Sequence, residues 1–174
     1  MASALIRPAT TADIPAVARI YADAVLHSSA SFELEPPSEA EMARRHAVVT
    51  EKGLPYLVAE RGGVVAGYAY AGLYHARPGY RYTLEDSIYV ATDAQRNGIG
   101  RALLTRLLVE TEVLGFRQMI AVIGDSGNLG SITLHRELGF QDVGIMRSTG
   151  FKFGRWIDTV FMQRALGKGG TTTP

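Results

Sequence analysis

Apolar side chains recur at helical spacing early in the chain. Ile14, Val17, Tyr21 and Val25 lie three or four residues apart and share one helix face. Thr10, Thr11 and Asp13 precede them as capping residues, and Pro15 is tolerated in a first helical turn. A short strand, Leu5 to Arg7, comes before this helix. The stretch SSASFELEPPSE breaks the period and reads as a loop, after which Glu39 to Glu51 forms a second, more polar helix. From Tyr56 the pattern changes. Tyr56 to Glu60 and Val64 to Leu73 are strand-like and flank Gly62-Gly63, a hairpin signal. YHARPGYRYT is a loop of aromatics and cations, followed by a strand from Leu84 to Val90. Gly98 to Leu114 is an amphipathic helix. Arg117 to Ile123 is a nearly continuous apolar run, as expected of a strand covered on both faces. A shorter helix, Leu129 to Leu138, leads to strands at Val143 to Lys152 and Trp156 to Gln163. Both late helices end in Leu-Gly-Phe, a helix stop.

The order β-α-α-β-β-β-α-β-α-β-β predicts an α/β fold with a mixed sheet, whose segment 84 to 123 is a parallel crossover. One domain is expected over residues 4–166, with a flexible tail over 167–174. At 174 residues the chain can bury a sizeable core. Its net charge of +1, without a run of five like charges, argues against a nucleic-acid partner. It has no cysteine, which excludes disulfides, thiolate metal sites and a cysteine nucleophile. The histidines His27, His46, His75 and His135 show no ligand spacing, so no metal is expected. No leader pattern opens the chain, and no apolar run approaches the ~20 residues of a membrane span. A cytoplasmic protein with no membrane partner is the expectation.

Gly98 and Gly100 stand where a helix should begin, although glycine costs a helix interior about 1 kcal/mol relative to alanine. A helix start offers unpaired N–H groups and a positive dipole end, and glycines let an anion approach them. Arg96 and Arg101 add charge. A phosphate-bearing ligand fits this pattern; so does a glycine-softened helix start with no ligand. The P-loop is excluded because Arg101-Ala102 follows the last glycine. Leu103, where a third glycine is needed, excludes the dinucleotide fingerprint. Farther on, Asn128, Ser131 and His135 fall within roughly 60° of one another at about 100° per residue. They form a polar stripe that suits a ligand or plain solvation.

Gln95-x-x-Gly98-x-Gly100, after Ile88-Tyr89-Val90, resembles the acetyl-CoA pyrophosphate loop of the GNAT N-acetyltransferases. LEDSIYV, AVIGDSGNLGSITLHRELGF and RSTGFKFGRWIDTVFMQ extend the resemblance to the phosphinothricin/methionine sulfoximine acetyltransferase branch, from about Leu5 to Leu166. The resemblance implies a GNAT fold, with a mixed central sheet of about seven strands flanked by about four helices, and a homodimer. It implies acetyl-CoA as co-substrate and direct transfer in a ternary complex, without a metal. Gln95, Arg96, Asn97, Gly98, Ile99, Gly100 and Arg101 would hold the pyrophosphate. The backbone of Ile88, Tyr89 and Val90, with Asn128 and Ser131, would hold the pantetheine arm.

Acetyl transfer needs a neutral amine, so a base must take its proton. The resemblance assigns that role to Glu85. Asp86, one residue along the strand, points to the opposite face and is read as structural or solvent-facing. His135 stands where many GNAT enzymes carry a tyrosine that protonates the leaving thiolate, and takes a supporting acid/base role. For the acceptor site, Phe32 and Glu33 match a loop segment of the branch. Arg77 can bind a carboxylate with its two-pronged guanidinium. Tyr80, Tyr82 and Tyr89 can wall the pocket. His75 replaces a lysine of the herbicide-inactivating members, a departure that weakens the case for phosphinothricin. The implied acceptor is the α-amine of a small amino acid analogue: L-methionine sulfoximine, L-methionine sulfone or phosphinothricin. A protein or peptide acceptor, and a non-catalytic acyl-CoA sensor, are the alternatives.

Overall fold

The structure, a computed structural model, describes residues 4–174. All the expected strands and helices form: β1 (Leu5–Pro8), α1 (Ile14–His27), α2 (Glu39–Thr50), β2 (Tyr56–Arg61), β3 (Val64–Leu73), β4 (Thr83–Val90), α3 (Ile99–Val113), β5 (Gln118–Gly124), α4 (Leu129–Glu137), β6 (Gln141–Lys152) and β7 (Arg155–Ala165). The strands make one seven-stranded sheet in the order β1-β2-β3-β4-β5-β7-β6. Every neighbouring pair is antiparallel except β4 and β5, which α3 connects as the predicted parallel crossover. The last two strands are longer than their hydrophobic pattern indicated. Gln118 pairs with Ala165 and Gln141 with Gln163, so backbone bonding extends past the apolar residues.

The two faces carry different helices. Tyr68 and Tyr89 stack across β3 and β4, and Tyr21 of α1 meets Tyr89 edge-on at 5.0 Å. On the other face, a side chain at Gly67 would stand 3.2 Å from Ile99 and 3.3 Å from Leu103 of α3, so α3 packs close on β3 there. Leu103, Leu104 and Leu107 of α3 are fully buried, as are Leu57, Leu84, Met119 and Met162 of the sheet. Alternation along β4 therefore sends Glu85, Ser87 and Tyr89 toward α1, and Asp86, Ile88 and Val90 toward α3 and α4.

One feature of the sheet opens the molecule. β4 pairs with β3 along its whole length, to Val90. Its pairing with β5 stops at Asp86 opposite Ala121. β5 continues to Gly124, bonded on its other side to β7. The central strands thus diverge, and unpaired backbone groups of both face the gap, where they need partners.

The tail, expected to be flexible, is tied down in part. Arg117 donates to the carbonyls of Gly169 and Thr173 and to the Thr172 hydroxyl.

Candidate active site

The gap between β4 and β5 widens into a cleft of about 1700 Å³. Ser87 to Val90 line one wall and Val122 to Gly124 the other. The start of α3 closes one end, α4 lies alongside, and the loop 28–33 after α1 covers the other end.

The two glycines do different work. Gly98 is the N-cap of α3 and sits at φ 78°, in the left-handed region, so the helix proper begins at Ile99 and not at Gly98. Gly100 lies inside the first turn, where a side chain would stand 3.3 Å from Leu134 of α4. The first intrahelical bond runs from Ala102 N–H to the Gly98 carbonyl, at 3.0 Å. The N–H groups before it have no intrahelical acceptor and face the cleft with the positive dipole end. Gln95, Arg96, Gly98, Ile99, Gly100 and Arg101 all line this end. Asn97 does not. Its side-chain amide donates to the carbonyls of Ala94 and Gln95 and shapes the loop. Arg101 is ion-paired with Glu137 of α4, whereas Arg96 has no ion pair among the described residues. A diphosphate fits this end: free N–H groups, an unpaired guanidinium, and no side chain at two positions.

Asn128 caps α4, accepting from Ser131 N–H at 3.3 Å. Its side-chain oxygen is thereby engaged and its amide nitrogen remains for a ligand. Both residues line the cleft.

Glu85 lines the cleft near the point where β4 leaves β5. Burial raises its pKa above the ordinary carboxylate value, and the adjacent charge of Asp86 raises it further. Asp86 itself is buried on the opposite face, which settles its sequence reading as structural. Its Oδ2 lies 3.0 Å from Nε2 of His135. The other ring nitrogen, Nδ1, is 2.8 Å from the Ser131 carbonyl. A carbonyl only accepts, so Nδ1 must donate. Nε2 faces the Asp86 carboxyl, whose other oxygen, Oδ1, is buried without a partner. Burial pulls the His135 pKa down, but the hydrogen bond and charge of Asp86, with the Ser131 carbonyl, outweigh it and the pKa is raised. At 1% exposure and with both nitrogens engaged, His135 is placed to join α4 to β4. The ring also lines the cleft, as Asp86 does. The Asp86–His135 couple was not legible in the sequence, because 49 residues separate its members.

The acceptor residues divide. Phe32, Glu33 and Tyr89 line the cleft. The Glu33 carboxylate is held by Tyr21 Oη at 2.9 Å and Arg45 Nη1 at 2.6 Å. His75, Arg77 and Tyr80 lie outside the cleft, on an exposed loop between β3 and β4. His75 packs on Tyr74 and Tyr80 there. Tyr82 is outside too and stacks under Arg81.

Comparison with known proteins agrees with this geometry. Residues 6–161 match the acetyltransferase (GNAT) domain family. The chain belongs to the GNAT acetyltransferases. It is 54% identical over 162 residues to a phosphinothricin N-acetyltransferase of Alcaligenes faecalis, covering 93% of this chain and 82% of that protein. It is 42% identical to an L-methionine sulfoximine/L-methionine sulfone acetyltransferase of Salmonella typhimurium, covering 92% of this chain and 94% of that one. A crystal structure of a GNAT superfamily phosphinothricin acetyltransferase from Sinorhizobium meliloti, in complex with AcCoA, superposes with a TM-score of 0.97 at 50% identity, over 99% of this chain and 94% of that chain. As a GNAT enzyme the protein is an acetyltransferase, and the expected fold is borne out. Among the described residues no group of histidines and carboxylates could hold a metal ion, and no helix is long and apolar enough to cross a membrane.

Proposed function

We propose that this protein transfers the acetyl group of acetyl-CoA to the α-amine of a small amino acid analogue. L-Methionine sulfoximine, L-methionine sulfone and phosphinothricin are the proposed acceptors. The observation that carries the reading is the splayed β4–β5 cleft, with a free helix N-terminus at one end and Glu85 beside the gap. The names of the relatives supply the acceptor class.

The chain's residues divide the work. The α3 N-terminus and Arg96 neutralise the diphosphate of the donor. The unpaired backbone of Ser87 to Val90 offers strand-like hydrogen bonds to its amide arm. Glu85 accepts the proton of the incoming ammonium, directly or through water, and its raised pKa keeps its basicity nearer neutral pH. His135, bonded to Asp86, holds α4, with Asn128, at the cleft wall. A cytoplasmic homodimer completes the proposal. The β6–β7 hairpin leaves Ile145, Met146, Phe151, Phe153 and Trp156 exposed, an apolar surface that a second copy would cover.

Thiol release from acetyl-CoA, measured with these three acceptors, ordinary amino acids and a mixed peptide, tests the reading. Turnover on one of the three analogues is expected. Turnover on peptide alone would replace the acceptor class, and binding of acetyl-CoA without release for any amine would leave a sensor.

A further inference from the structure

A lysine lies buried where the reaction has no use for it. Lys152, at the end of β6, is 4% exposed. Its ammonium donates to two carbonyls of the loop after α1: Ser28 at 2.9 Å and Ser31 at 2.7 Å. Burial lowers its pKa, opposed by the charge of Glu33. A buried ammonium is costly unless it is hydrogen-bonded, and the two carbonyls answer that cost. Other groups grip the same loop. A side chain at Gly150, two residues before Lys152, would stand 2.1 Å from the Phe32 ring, so that ring lies directly on the bare β6 backbone. At Gly124 of β5 a side chain would stand 2.1 Å from the Ser29 carbonyl. Ser31 is further held by Tyr21 Oη at 2.9 Å.

The loop so gripped is the cleft wall that carries Phe32 and Glu33. We propose that Lys152 is a positioning residue for the acceptor: it clamps the Ser28–Ser31 backbone and so fixes the place of the Phe32 ring, and thereby acceptor selectivity. The inference rests on the acceptor reading given above. Lys152 touches neither the α3 end of the cleft nor Glu85, so its effect belongs to the acceptor and not to acetyl-CoA. The Phe32 ring lies against two glycines, Gly150 and Gly124, which offer it no side chain to pack on.

The test compares wild type, Lys152→Met, Phe32→Ala and the double variant. Acceptor KM and relative kcat/KM are measured for methionine sulfoximine, methionine sulfone and phosphinothricin, with the acetyl-CoA Kd from calorimetry. Lys152→Met is expected to raise acceptor KM about tenfold or more and to change the preference among acceptors. The acetyl-CoA Kd should stay within about twofold, and in the Phe32→Ala background the Lys152 effect should also fall to within about twofold. Equal losses for both substrates, no loss in either, or an undiminished effect without Phe32 would overturn the proposal. If Lys152→Met does not fold, Gly150→Ala displaces the ring with the lysine intact, and the same selective rise in acceptor KM is required. Wild type inactive on all three acceptors would overturn the acceptor reading itself, and this inference with it; wild-type turnover with no change in either variant overturns the inference alone.

Discussion

Two single residues in this cleft are set by their immediate surroundings. Glu85 is half-buried and beside a carboxylate, so its proton leaves at higher pH than in free glutamate. As base it must be ionised; kcat/KM should therefore rise with pH through this raised pKa, above the ordinary ~4.3. Glu85→Gln is expected to lower kcat by about 10²–10⁴-fold and abolish that limb, with acetyl-CoA affinity retained. A pH–rate profile of both proteins checks it, and an unchanged profile in the variant would remove Glu85 from the mechanism. Gly98 presents a different case. Nothing lies within 4 Å of the place a side chain would take, so sterics with neighbours are absent. Only the left-handed φ of 78° opposes substitution. Gly98→Ala is expected to cost about 1–2 kcal/mol, and to weaken acetyl-CoA binding because the α3 N–H groups turn from the cleft. Calorimetric binding together with thermal unfolding would separate the two effects.

Between elements, the Asp86–His135 couple joins β4 to α4. The His135 pKa is raised in the folded protein. Its contribution to stability is therefore complete below the ordinary histidine value of ~6.5 and is lost as pH rises through the raised value. Asp86→Asn leaves His135 buried without its counter-charge, at an expected cost of about 3–5 kcal/mol. The stability gap between wild type and variant should narrow as pH rises. Denaturant unfolding across pH measures this, and a gap that does not vary with pH would mean the ring is neutral throughout. The same substitution removes the charge that helps raise Glu85, so the acidic limb of the rate profile should move to lower pH.

For the whole molecule, the proposed dimer rests on the exposed apolar hairpin. Trp156 is 63% exposed, with Phe151 packed against its edge at 5.2 Å between ring centroids. Such a patch is unfavourable in water unless covered. Sedimentation or light scattering is expected to give a dimer, and Trp156→Glu is expected to shift it toward monomer by placing a charge in the covered area. A wild-type monomer at micromolar concentration would rule this surface out as the interface.

Local periodicity and turn signals located the main helices and strands of this chain, because both are written in adjacent residues, but not the ends of the last two strands, which backbone pairing sets. The glycine loop was legible for the same reason: a strand, a turn and a helix start are contiguous in sequence. The surrounding motif singled out Glu85, which lines the cleft, and alternation along β4 placed Asp86 on the opposite face. What Asp86 does there was decided only by the fold, which brings it to His135 across 49 residues. The fold also buried Lys152 under a loop 121 to 124 residues away. It placed His75, Arg77 and Tyr80 on an exposed loop outside the cleft they adjoin in sequence, where His75 packs on Tyr74 and Tyr80. These outcomes depend on which surfaces meet, and pairings between distant residues leave no period in a single chain.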